Sequence, residues 1–323
     1  MGGRLATGLM RLTDDPSDID GENFWAISTT FEGRWCAAEF REVVNCDWDS
    51  AREFTPVTNP WNSNMSRSQY IEYVQNIRAE IAQGWVYQVN ACREITAQVD
   101  DGYSLEPLFT EILKRNPAPY ASYLRIPGLE IASASPELFL KRVNNVITSS
   151  PIKGTKKNGD PEFGAKDRAE NIMIVDLIRN DLGQICQPGT VDVPRLLSNE
   201  VHPGIDHLVS DVSGTLKVGL TWAQILTPLL PPGSVSGAPK SSALKSISRY
   251  EGTSRGPYCG ALGWVQGSDA LLAVAIRTFW KDSNEIKFGT GAGITWDSTA
   301  ELEWEETELK ARRLISIAQG VLR

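Results

Sequence analysis

Residues 259–293 read CGALGWVQGSDALLAVAIRTFWKDSNEIKFGTGAG, and the punctuation of this stretch decides the fold class. Gly267-Ser268-Asp269 and Lys281-Asp282-Ser283-Asn284 are turn clusters, and they cut the stretch into three runs rich in β-formers. Short turns between such runs predict antiparallel neighbours, here a three-run meander. Working outward, further strands are expected at 87–99, 120–126, 130–140 and 145–151. Helices are expected from Ser66, where Ser66 and Gln69 fit a capping box and Gly84 supplies a stop, and from Ser104 to Asn116-Pro117. Four more are expected over Asp167–Leu182, from Thr221, over Ala238–Tyr250 and over Thr299–Leu322. Strands come in groups rather than alternating with helices, so the expectation is α+β with mostly antiparallel sheets.

The chain has 323 residues, 41% hydrophobic and 22% charged, an ordinary globular composition able to bury a sizeable core. Residues 1–64 are less patterned and read as a short N-terminal region, a strand-rich edge plus a loop, packed on the same domain as 65–323. A net charge of −8 without Lys/Arg patches argues against a nucleic-acid partner. The five cysteines are scattered, with no Cys-x-x-Cys pair, which suggests a reducing compartment. The longest apolar run, Ala270–Ile276, is too short to span a bilayer, so no membrane role and a cytoplasmic location are expected.

Several residues could carry chemistry. Lys153, in Pro151-Ile152-Lys153-Gly154-Thr155, is either a turn lysine at the surface or a desolvated amine made nucleophilic by its apolar neighbours. Glu137 lies between apolar strands and reads as a strand-edge carboxylate paired with an arginine, or as a general acid with a raised pKa. Asp167 with Glu170, and Glu303 with Glu306, sit at i and i+3 and so share helix faces. Two such faces meeting would make an oxygen-rich cage for a hard divalent cation. Arg277 interrupts an apolar run and needs an anionic partner if buried. Gly233–Lys240 lacks Walker spacing and Gly289–Gly293 lacks a following βαβ unit, though either could offer backbone N–H groups to a carboxylate. Of the two histidines, His202 precedes a proline in a loop, and His207 starts a strand.

Taken in order, Tyr87–Asn90, Ser133–Glu137, Pro151–Thr155, Asp167–Asp181, His207–Ser210, Gly233–Lys240, Ile276–Thr278, Gly291–Gly293 and Glu301–Lys310 resemble the chorismate-utilising enzymes. Within that family the likeness is greatest to the aminodeoxychorismate synthase component I branch, from about Ser66 onward. The resemblance implies two large antiparallel sheets packed face to face, with helices outside and a chorismate-binding catalytic domain over 65–323. It implies Mg²⁺ held directly by Glu170 and Glu306 and through water by Asp167 and Glu303. Arg277, Tyr258, Lys310 and Gly291-Ala292-Gly293 would hold chorismate's carboxylates, with Gln88 and Ser236 also in the substrate site. Glu137 would protonate the departing C4 hydroxyl, with His207 nearby, and Lys153 would be the covalent nucleophile, with Thr155 beside it.

Lys153 selects the branch. Anthranilate synthases are similar but typically carry alanine there, and the isochorismate branch usually has a lysine where this chain has Gln88. The implied reaction makes 4-amino-4-deoxychorismate from chorismate and ammonia, towards p-aminobenzoate and folate, and is a transferase reaction. No Gly-x-Cys-x-Gly elbow is present, so ammonia is expected from solution or from a separate glutamine amidotransferase subunit. An anthranilate-type synthase is the nearest alternative. A catalytically silent subunit that scaffolds a glutaminase is another, against which intact Lys153, Glu137, Glu170 and Glu306 argue.

Overall fold

The structure is a computed structural model. It describes residues 1–321 except Asp20, Asp49, Asn158, Pro161, Pro203 and Gly204; the side chains of Thr155, Lys157, His202 and Ile205 also lie outside the described residues. Two antiparallel sheets make the core, one of ten strands and one of seven among those residues. In the large sheet the order is Arg4–Thr13, Trp35–Asn45, Phe24–Thr29, Ala261–Gln266, Asp269–Val274, Leu138–Val143, Val146–Ser150, Ile205–Thr215 and Ile152–Lys157, with Asp192–His202 on the free side of Ile205–Thr215. In the small sheet it is Gly237–Ala238, Gln88–Gln98, Glu285–Ile294, Thr278–Asp282, Leu129–Ser133 and Ser122–Ile126, with Asn62–Ser63 paired to Gln88–Gln98.

The stretch that decides the fold class is not one meander. It forms four strands in two hairpins, and the hairpins belong to different sheets. The expected strand 130–140 is likewise broken, between Ser133 and Leu138. The two breaks lie side by side: Ser133 faces Thr278 in the small sheet and Leu138 faces Ala273 in the large one. Between them the Ala134 N–H donates to Arg277 O (3.0 Å) and the Val274 N–H to Glu137 O (3.1 Å). A single two-stranded ribbon therefore passes through both sheets. Periodicity runs straight across such a bend, which is why it reads as continuous strand. The local chemistry marks it better: Pro136 cannot donate to a ladder, and Arg277 has a φ of 52°, in the left-handed region.

Six helices flank the sheets among the described residues: α1 Arg67–Ala82, α2 Leu105–Arg115, α3 Ala165–Ile185, α4 Trp222–Leu226, α5 Lys240–Tyr250 and α6 Ala300–Ala318. The α1 capping box forms as expected: Gln69 N–H donates to Ser66 Oγ (3.3 Å) and Ser66 N–H to Gln69 Oε1 (2.8 Å). Tyr70, Tyr73, Val74 and Ile77 then fall on its buried face. Each fully buried apolar side chain of this kind contributes about 1.5–3 kcal/mol. Two placements position the site: α6 packs on Glu285–Ile294, and α3 packs on Ile205–Thr215 and Ile152–Lys157. No helix among the described residues is long and apolar enough to cross a membrane.

Candidate active site

Lys153 is aimed by a backbone irregularity. Val146–Ser150 and Ile152–Lys157 run along one edge of Ile205–Thr215, with Ser149 opposite Val212, Ile152 opposite Val209 and Thr155 opposite His207. The register slips between Ile152 and Thr155, so Lys153 and Gly154 form a bulge, a device that re-aims a side chain. Gly154 has a φ of 88°, and a Cβ there would meet Asp167 and Phe163 at 3.0 Å, so glycine suits both the turn and the helix packed on it. From the bulge Lys153 Nζ donates to Ser234 O at 3.0 Å. Gly293 on the small sheet leaves room for this: a Cβ there would collide with the Gln88 amide and lie 4.0 Å from Lys153 Nζ.

Glu137 arrives where the ribbon crosses between the sheets, 4% exposed. Its carboxyl is hydrogen-bonded by the Ser234 hydroxyl and the Ile152 N–H. Burial raises its pKa, against the opposing pull of Ser234, Lys153, Ile152 and Lys310. Burial lowers the pKa of Lys153, against Glu137 and Glu170, while Lys310 pushes in the same direction as burial. Each group is thus pushed in the direction of its neutral form. That pairing suits nucleophilic attack coupled to proton donation.

Beside this pair the two acidic helices meet. Lys166 Nζ lies 3.8 Å from both Glu170 and Glu303, tying α3 to α6. Lys310 Nζ lies 2.6 Å from Glu306 and donates to Gly291 O at 2.9 Å. Asp167 instead closes its own helix, accepting from the Gly164 N–H at 3.2 Å. Burial raises the pKa of Glu170, with Glu306 and Asp167 adding repulsion and Lys153 and Lys166 opposing. Glu303 is raised by burial and by Glu306, against Ser298 and the lysines. Burial would raise Glu306 too, but Lys310, Lys166 and Lys153 outweigh it and hold that carboxyl low.

Among the described residues no three His, Cys, Asp or Glu side chains are close enough to hold a metal, so the expected four-carboxylate cage is not closed. The donor chemistry nonetheless fits Mg²⁺: the donors are all oxygens, and carboxylates that raise one another's pKa mark surplus negative charge.

The remaining predicted residues divide. Arg277 is half-buried with no acidic partner among the described residues, and burial alone lowers its pKa, so it is a cation awaiting an anion. The ladder between Glu285–Ile294 and Thr278–Asp282 ends at Phe288–Phe279, so Gly291-Ala292-Gly293 is paired on the Gln88–Gln98 side only. Gln88 is 1% exposed and its Oε1 has no hydrogen-bond partner. His207 is buried in its strand between Thr155 and Glu200. The Thr155 side chain lies outside the described residues.

Two predicted residues do not join the group. Tyr258 lies against Gly289, its hydroxyl 3.9 Å from Cys92 Sγ, lining a separate cavity with Glu251, Arg255 and Trp280. The Ser236 hydroxyl is used within its own turn, donating to Gly233 O at 3.2 Å. The side chain facing the pair is Ser234, two residues earlier, which touches Lys153 through its carbonyl and Glu137 through its hydroxyl. Its turn is pinned from below: Asn90 Nδ2 and Arg255 Nη1 donate to Val235 O at 3.1 and 2.9 Å. The Gly233–Lys240 motif gave the only signal for Ser234, since spacing cannot say which serine of a turn points inward.

Residues 37–316 match the model of a family described as chorismate binding enzyme. The chain is 36% identical over 266 residues to anthranilate synthase component 1 of Saccharolobus solfataricus, covering 79% of this chain and 63% of that one. It is also 36% identical over 280 residues to aminodeoxychorismate synthase component 1 of Klebsiella aerogenes, covering 82% and 61%. The chain therefore spans less than two thirds of the length of either relative. The fold matches the crystal structure of anthranilate synthase component I from Streptococcus pneumoniae with a TM-score of 0.85 at 22% identity, over 97% of this chain and 91% of that one.

Proposed function

Because the chain belongs to the chorismate binding enzyme family, we propose that it converts chorismate and ammonia into 4-amino-4-deoxychorismate through a covalent adduct on Lys153. The observation that carries this reading is Lys153 itself: a bulge-aimed amine, its pKa lowered by burial, sharing Ser234 with the buried acid Glu137. The Lys153 amine bonds to C2 of the ring, C1=C2 moves to C1=C6, C5=C6 moves to C4=C5, and the C4–O bond breaks. Glu137 gives its proton to the departing hydroxyl, which leaves as water. Ammonia then bonds to C4, both ring double bonds move back, the C2–N bond breaks, and Lys153 is released as the free amine. The enolpyruvyl group stays on the ring, which makes the enzyme a transferase.

Arg277, Lys310 and the backbone at Gly291–Gly293 are cationic or N–H-bearing groups suited to chorismate's two carboxylates. Tyr258 and Ser236 are assigned no direct contact in this reading. The orphan Oε1 of Gln88 is an acceptor available to an incoming N–H. Glu170 and Glu306, with Asp167 and Glu303 through water, would hold Mg²⁺, which when bound would offset substrate negative charge. Ammonia would come from a separate glutamine amidotransferase subunit; that two relatives are named as component 1 supports a second component. The product would serve p-aminobenzoate and folate synthesis in the cytoplasm.

A second reading has its own support, since identity to the anthranilate relative is the same 36%. In that course ammonia bonds to C2 directly and pyruvate is lost. Incubation with chorismate, Mg²⁺ and ammonium separates the two. The first reading gives a 4-amino product convertible by aminodeoxychorismate lyase, with no pyruvate, and anthranilate with stoichiometric pyruvate would overturn it. Glutamine should not replace ammonium when the chain is alone.

A further inference from the structure

Glu137 also lines a small, partly open cavity between the large sheet, α3 and the turn before α5. The cavity has about 20 Å³ of room for water centres, enough for one water molecule. Its polar lining comes from Glu137, Ser149, Asp181 and Ser234, and apolar side chains such as Ile178, Leu182 and Val274 supply the rest. Asp181 is paired with Lys240 at 2.5 Å, and Lys240 Nζ also donates to Leu229 O at 3.3 Å. Asp181 and Glu137 are both buried, and the pair reaches the edge of solvent through Lys240, whose side chain is 16% exposed.

We infer that Asp181, held by Lys240, is a positioning residue that returns protons to Glu137 through water in this cavity. The inference rests on Glu137 being the acid that protonates the leaving hydroxyl, a step shared by both reaction courses above. The proton account requires a supply. Chorismate, neutral ammonia and one proton give water and an alkylammonium product, so the proton that Glu137 loses is not returned by the nucleophile. It must come from solvent, and bound substrate would cover Glu137 on the Lys153 side. Charged groups facing Glu137 are Lys153 from Ile152–Lys157 and Lys310 from α6; Asp181 faces Lys240 from α5. Burial raises the Asp181 carboxyl against the opposing pull of Lys240.

Asp181→Asn keeps the shape and removes the carrier. Asp181→Asn/Lys240→Met additionally avoids an uncompensated buried cation. Ser149→Val fills the cavity without touching the pair, and a β-branched residue suits its strand. In variants shown by circular dichroism and melting to be folded, kcat should fall about tenfold at an unchanged KM for chorismate. The alkaline limb of the kcat profile should move to lower pH, and the solvent deuterium isotope effect on kcat should rise. Unchanged pH profiles and isotope effects in folded Asp181→Asn and Ser149→Val overturn the relay. Full turnover by Glu137→Gln overturns instead the acid assignment on which the relay rests, so the two failures are distinguishable.

Discussion

Two pairs of a cation and a carboxylate in the interior of this molecule are built oppositely. Arg255 and Glu251 are joined twice, Nε to Oε2 at 2.8 Å and Nη2 to Oε1 at 2.6 Å. Arg255 spends its other donors on Val235 O and Asn90 O, and Glu251 also accepts from Tyr73 and the Cys92 N–H. Burial would lower the guanidinium pKa, but Cys92 and Glu251 outweigh it and hold Arg255 well above its ordinary value. Glu137 is also buried and Lys153 half-buried, yet Lys153 donates to a backbone carbonyl, and burial pushes both groups in the direction of neutrality. A saturated pair fixes a conformation, whereas an undersaturated pair remains available to react. Here the first supports the second, because Arg255 pins the turn that presents Ser234.

The contrast breaks most sharply at Lys153 and Glu137. Lys153→Ala and Glu137→Gln should each reduce 4-amino product formation toward the upper end of what one acid–base group supplies, about 10⁴-fold. Neither should lower the melting temperature, since each removes a poorly compensated ionisable group from the interior. In Lys153→Ala the space left by the side chain admits ammonia to C2, so residual product should be the 2-amino isomer. Quenching the wild type with chorismate but no ammonia should leave a mass adduct on the Lys153 peptide. Near-normal 4-amino product from Lys153→Ala would reduce the lysine to an electrostatic contact.

Arg255 and Glu251 should behave in reverse. Glu251→Gln strands a buried guanidinium and should cost about 3–5 kcal/mol of stability in a denaturant titration. Turnover per folded molecule should stay within about tenfold of wild type, a change worth roughly 1.4 kcal/mol. A stability loss under about 1 kcal/mol, far below what breaking a buried pair costs, would show that the pair is not what holds the turn.

What the sequence made legible follows from how local each signal is. Caps and breakers are local: Ser66 with Gln69, Ser104, and Asn116-Pro117 set the ends of α1 and α2 where expected. The grouping of strands gave the antiparallel α+β class, and the motif order gave the two-sheet family fold. Sheet membership is not local, so a ribbon shared by two sheets looked like two continuous strands. The bulge at Lys153 depends on a register slip that one strand's sequence cannot reveal. Ser234 went unnoticed for the same reason: its importance lies in two partners 97 and 81 residues away, Glu137 and Lys153.

Ser234 allows the smallest and most discriminating change. Its hydroxyl hydrogen bond pulls the Glu137 pKa down against burial, while its carbonyl, which any residue would keep, accepts from Lys153. Catalysis needs Lys153 neutral and Glu137 protonated, so the activity profile should be a bell with one limb set by each group. Ser234→Ala removes only the hydroxyl. The Glu137 pKa then rises further, so the limb set by Glu137 should move to higher pH while the limb set by Lys153 stays in place. Losing one hydrogen bond of this kind is worth about 1.4 kcal/mol or less, so kcat at neutral pH should change by about tenfold at most. The displacement is opposite in sign to that expected for Asp181→Asn, which starves Glu137 of protons rather than strengthening its hold on them. If the limb set by Lys153 moves instead, the Ser234 hydroxyl acts on Lys153, and the acid must be tuned by the Ile152 N–H and the lysines alone.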